Sequence, residues 1–147
     1  MSARPVAGRR RTPKRQAVLE QLGKSDRFRT AQQLHSDIRQ HHSVRMGLTT
    51  VYRILRNLAE ENIAESQRGE DGETLYRLRA TPAHRHYLVC RQCGRAVGFT
   101  AHDIEHLCTR LAHEHGYRDI THHVDLYGTC PLCPATSTGD RADRVAR

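Results

Sequence analysis

Apolar positions recur at helical spacing through the first sixty residues and at strand spacing beyond them. Val18, Leu19 and Leu22 form a stripe that a 3.6-residue period places on one side of a helix. Thr12-Pro13 marks its start, a hydroxyl N-cap followed by proline at the first helical position, and Gly23 closes it. A second helix begins at Thr30 with Gln33 three residues on, as in a capping box, and carries the stripe Ala31, Leu34 and Ile38. Gly47-Leu48-Thr49 precedes a third, whose buried face is Val51, Ile54, Leu55 and Leu58. Strand-like runs at 63–68 and 74–79 flank Gly69-Glu70-Asp71-Gly72, a hairpin signal.

Three helices followed by a hairpin is the order of a winged helix-turn-helix. Ala80-Thr81-Pro82-Ala83 reads as a hinge. An extended run at 84–91 follows, then a Cys-x-x-Cys-Gly turn and a short strand at 96–99. Residues 103–115 read as a helix with Ile104, Leu107, Cys108 and Leu111 on one face, Cys108 serving as core packing. Gly116 breaks that helix, and 118–127 reads as the last strand before a second Cys-x-x-Cys. The expected class is α+β: a basic arm (1–11), a winged-helix domain (12–79), a hinge (80–83), an α/β dimerisation domain with a four-Cys site (84–134) and a disordered tail (135–147).

Charge separates the same two parts. The 147 residues carry a formal net charge of +8. Residues 1–79 hold 16 Lys+Arg against 9 Asp+Glu, with three of the eleven His and no Cys. The remainder is almost balanced and holds eight His and all five Cys. Such segregation suits a polyanion-binding half and a metal-binding half better than a general need for solubility. No apolar run approaches the ~18 residues a membrane span needs, so a soluble cytoplasmic protein is expected. Two half-size cores are each marginal, which calls for a metal or a partner subunit as reinforcement.

Cys90-x-x-Cys93 and Cys130-x-x-Cys133 supply four thiolates in two knuckle-like turns. Two-residue spacers let both sulfurs of a turn face one tetrahedral Zn²⁺, and four protein ligands make such a site structural. Two disulfides are the alternative reading of the same spacing. His84 and His86 lie two apart on an extended run and so share a face. On the last strand, Ile120, His122, Val124 and Leu126 share the apolar face, which turns His122 inward towards Glu105 in the first turn of the helix above. Three imidazoles and a carboxylate suit Zn²⁺ or another divalent metal; two exposed histidines and one satisfied buried histidine are the alternative. A full set of four protein ligands argues against a catalytic zinc, which would keep a position open.

In a helix-turn-helix the second helix of the motif enters the major groove of double-stranded DNA. Here that is the third helix, whose solvent side offers Thr49, Thr50, Tyr52, Arg53 and Arg56. Arginine can pair with guanine in bidentate fashion, while Arg9, Arg10, Arg11, Lys14 and Arg15 would hold the phosphate backbone.

Gly47-Leu48-Thr49-Thr50-Val51-Tyr52-Arg53, Thr12-x-x-Arg15 and the His-x-His ahead of Cys-x-x-Cys-Gly resemble the ferric-uptake regulator family, most closely its zinc-uptake branch, over residues 12–133. The resemblance implies a homodimeric repressor, bound to a palindromic operator, whose DNA affinity rises with metal. It also implies Tyr52 and Arg53 as the base-reading pair, Arg15 near the minor groove, a structural zinc on the four Cys, and a regulatory metal on His84, His86, Glu105 and His122. One departure stands out. The positions matching a further sensing site are Glu65, Arg79, Arg85 and Tyr87, and arginine cannot ligate a metal. Glu65 is therefore expected to pair with Arg79 or Arg85, a cation standing where a zinc would sit. An iron- or peroxide-responsive regulator of the same family is the nearest alternative, and a member whose DNA binding no longer depends on regulatory metal is another.

Overall fold

The computed structural model describes residues 11–135; the rest of the basic arm and of the tail lie outside them. Thr12 caps α1 (Pro13–Gly23) by accepting the Arg15 N–H, 3.2 Å away. Thr30 and Gln33 form a reciprocal capping box at the start of α2 (Ala31–His41), satisfying two backbone donors the helix itself cannot. Gly47 leads into α3 (Leu48–Glu60) without a side-chain cap. Val18, Leu22, Leu34, Ile38, Val51, Leu55 and Leu58 interlock in one core, matching the expected apolar stripes.

β2 (Ala64–Arg68) and β3 (Thr74–Leu78) form the antiparallel wing. Its tip is set by Gly72 at φ +90° and by the Asp71 carboxylate, which accepts the Glu73 N–H. A two-residue strand absent from the sequence reading, β1 (Arg29–Thr30), pairs with β3 and gives the order β1-β3-β2. It was illegible because Thr30 both ends the strand and caps α2.

A second sheet has β4 (His86–Cys90) at its centre, antiparallel to β5 (Ala96–Phe99) and parallel to β6 (Asp125–Gly128). α4 (His102–His115) makes the crossover and ends on Gly116 at φ +69°. The expected long last strand is corrected here: only Asp125–Gly128 is strand, Asp119 near the start of the expected run is left-handed at φ 54°, and residues 120–124 join no ladder. Ile120 and Leu126 are exposed rather than buried, and His122 reaches Glu105 from an irregular segment. Cys108 is half-buried, on a helix with no buried residue, so it is not core packing within one chain.

The sheet's two faces differ. Tyr87, Val89, Ala96 and Tyr127 pack against Phe28 and Leu75 of the N-terminal half. The Phe28 N–H donates to the Gly94 carbonyl at 2.9 Å, and a Cβ on Gly94 would sit 2.1 Å from the Phe28 carbonyl oxygen. Gly94 thus needs its hydrogen for space as well as for its φ of +75°. Gly94→Ala should cost well over the roughly 1–2 kcal/mol of a left-handed residue alone. Gly116→Ala, with nothing within 4 Å of its Cβ, should cost only that left-handed penalty. Equal losses in denaturant titrations of the two variants would show that the close Phe28–Gly94 approach is not made.

Candidate metal centres and nucleic-acid interface

β4 delivers Cys90 to the base of the sheet, the following turn delivers Cys93, and the segment after β6 brings Cys130 and Cys133 alongside. All four sulfurs lie within 4.8 Å of one another. Cys90–Cys133 and Cys93–Cys130 are 3.9 and 3.7 Å apart, far beyond a disulfide bond of ~2.05 Å. They match the ~3.8 Å edge of a tetrahedron built on Zn–S bonds of about 2.3 Å, so the donor set fits zinc. Burial pushes the Cys90 thiol up, but backbone N–H donors of Cys130, Cys93 and Gln92 outweigh it and bring it down to about 6. Cys133 is pushed up to about 12, chiefly by its hydrogen bond with Cys130.

The second cluster forms where β4 begins. The Nε2 atoms of His84, His86 and His122 lie 3.4, 3.0 and 2.9 Å from a single oxygen, Oε1 of Glu105. His86 is buried, His122 half-buried and His84 exposed. The hydrogen bond from His86, reinforced by His122, holds the Glu105 carboxyl below its ordinary range. Three imidazole nitrogens and one carboxylate within 4.8 Å are a donor set that fits Zn²⁺ or a similar divalent ion. The remaining α4 histidines and His123 are exposed.

Between the two halves, the expected partner of Glu65 is corrected. Neither Arg79 nor Arg85 reaches it: Arg79 donates to the Pro82 carbonyl at 3.5 Å and Arg85 to the Gly98 carbonyl at 3.0 Å. Arg77 stands directly across the strand pair from Glu65 and donates from Nε at 2.5 Å. Arg79, expected from its match to a family site, lies one residue beyond the end of β3. Tyr87 donates its hydroxyl to Glu65 at 3.0 Å. Arg77 also donates to the Asp26 carbonyl at 3.1 Å and lies over both the Phe28 and Tyr87 rings, 4.9 and 4.4 Å from their centroids, the rings themselves meeting edge to face at 5.3 Å. Burial raises the Tyr87 pKa and the Glu65 hydrogen bond raises it further, so the phenol remains a donor at neutral pH. Arg77 and Phe28 were not singled out from sequence. The cross-strand register would have found the first; only tertiary packing reveals the second.

On α3, Thr49, Arg53 and Arg56 are exposed and Thr50 is half-buried, while the Tyr52 ring packs partly on the core. Arg11 and Lys14 are exposed at the start of α1. Arg15 makes two hydrogen bonds to Glu61, at 3.3 and 2.6 Å, and ties α1 to the end of α3.

Fold and site together define a winged-helix protein whose second half carries two side-chain clusters able to hold metal ions. A sequence model of the ferric uptake regulator family matches residues 6–127, and the chain belongs to that family. It is 38% identical over 128 residues to the zinc uptake regulation protein of Mycobacterium tuberculosis, covering 87% of this chain and 97% of that one. It is 32% identical over 127 residues to the ferric uptake regulation protein of Campylobacter jejuni, covering 86% and 80%. Among solved structures, a zinc uptake regulator complexed with zinc and DNA aligns with TM-score 0.66 at 26% identity over 84% of this chain and 83% of that one. The Vibrio cholerae ferric uptake regulator aligns with TM-score 0.62 at 28% identity over 82% and 92%.

The two clusters should separate on metal removal. Cys130→Ala is expected to abolish the cooperative unfolding of the C-terminal half, because binding and folding are one equilibrium at a closed zinc site. His86→Ala should lower zinc stoichiometry while leaving that transition in place. Calorimetry paired with metal analysis reads both, and a folded, zinc-poor Cys130→Ala would contradict the structural assignment.

Proposed function

We propose that this protein is a zinc-responsive, sequence-specific DNA-binding repressor that acts as a homodimer on a palindromic operator. The observation that carries the reading is the pairing, in one chain, of a recognition helix with exposed Arg53 and Arg56 and two preassembled ligand clusters. Thr49, Thr50, Tyr52, Arg53 and Arg56 face base edges, with Arg53 the principal reader. Arg11 and Lys14 hold phosphates. Arg15 acts indirectly, by fixing α1 against α3 through Glu61.

Cys90, Cys93, Cys130 and Cys133 hold the structural zinc; His84, His86, Glu105 and His122 hold the regulatory metal. Likeness to a zinc uptake regulator at 38% identity supports zinc over iron. A metal at the second cluster would supply bonds joining the start of β4, α4 and the segment before β6. No helix among the described residues is long and apolar enough to cross a membrane.

The dimer reading rests on an uncovered surface. Leu88, Val97 and Leu126 are direct cross-strand neighbours, all exposed. α4 leaves Leu107 and Leu111 in water as well. Apolar side chains exposed in such a row mark an interaction surface, and a second copy packed on it and on α4 supplies the burial that α4 lacks alone.

Zinc-loaded protein should enrich a palindromic sequence from a randomised duplex pool, and a chelator that spares the four-Cys site should weaken binding to it at least ~10-fold, within the usual range of coupling energies. Arg53→Ala should cost about 1–3 kcal/mol and relax selectivity at one base pair of each half-site. Unchanged selectivity in Arg53→Ala would remove α3 as the reading helix.

A further inference from the structure

His86 and Tyr87 are adjacent on β4, so their side chains leave opposite faces of the strand. The contacts bear this out: His86 meets Glu105 and His122, while Tyr87 meets Glu65, Arg77 and Phe28. The contacts on the Tyr87 side all belong to the N-terminal half. Glu65 and Arg77 are the wing's directly opposed pair, and Phe28 precedes β1. Glu65 and Arg77 keep only 11% and 12% of their side-chain surface in water, and Tyr87 is buried. A carboxylate so placed has its oxygens committed to the guanidinium and the phenol, and removal of either donor leaves it short of hydrogen bonds.

We propose that Tyr87 is the positioning residue that couples metal occupancy to DNA affinity, its hydroxyl on Glu65 passing the state of the His84/His86/Glu105/His122 cluster to the wing. Arg79 and Arg85 take no part. Ligation at His84 and His86 fixes the first residues of β4; Tyr87, the next residue, then holds one orientation against Glu65 and Arg77, and with it the wing and α3. The wing is thus held across the halves by a neutral donor, a carboxylate and a stacked guanidinium.

The inference rests on the metal-responsive reading above, and a thermodynamic cycle separates the two. The probes are zinc and the duplex enriched by zinc-loaded wild type, with the four-Cys zinc kept in place throughout. In wild type, zinc strengthens duplex binding by some factor, and the duplex must strengthen zinc binding at the His/Glu cluster by the same factor. Tyr87→Phe keeps the ring against Phe28 and Arg77 and removes only the donor. It should retain the zinc affinity of the free protein within about twofold, while both coupling factors fall from ~10-fold or more to below about threefold. Glu65→Gln should do likewise, and Arg85→Ala, whose side chain reaches Gly98 instead, should behave as wild type. Wild-type coupling preserved in both Tyr87→Phe and Glu65→Gln overturns the assignment of Tyr87 while the regulator reading stands. Absence of coupling in wild type overturns both.

Discussion

The alternation of side chains along β4 is the constraint from which the rest follows. Its five residues carry a histidine of one cluster at the start, a cysteine of the other at the end, and Tyr87 between them facing the other half. One face of the strand and its neighbours packs on Phe28 and Leu75; the other presents the apolar row Leu88, Val97 and Leu126. Metal binding, contact between the halves and association of copies therefore all depend on one strand's register. A one-residue slip would exchange every one of these roles.

The two ligand clusters are built by different physics. The thiolates are brought together by tight turns and by backbone N–H groups that favour the ionised sulfur of Cys90, which suits a permanent ion. The histidine cluster is assembled from three separate segments, is more open, and is held by a single carboxylate oxygen. α4, which carries Glu105, has no buried residue of its own, so a metal on Glu105 adds a tie to the sheet that is lost when the metal leaves. A responsive site needs that difference between states, because a ligand shifts an equilibrium only by its differential affinity.

Much of this was legible in sequence. The caps at Thr12 and Thr30, the apolar stripes of α1–α3, the wing hairpin and the four-Cys cluster follow from spacing and turn chemistry, while His122 joins the His/Glu cluster although the strand expected to place it is absent. What stayed hidden were features fixed by tertiary packing. Residues 120–124 alternate like a strand yet pair with none, and Asp119 before them takes a left-handed conformation that residue type alone does not dictate. The stripe of α4 reads as core, yet one chain does not cover it, because periodicity cannot distinguish a face packed internally from one packed on a partner. Arg79 and Arg85 were expected opposite Glu65 from their match to a family site, whereas the hairpin register places Arg77 there.

The central claim is that occupancy of the histidine cluster is felt in the wing through β4. Amide hydrogen exchange on the full chain, with the four-Cys zinc retained and zinc added to the second cluster, tests it most directly. The account predicts slower exchange at residues 64–68 and 74–78 together with 84–90. Protection confined to the C-terminal half, with the wing unaffected, would contradict it.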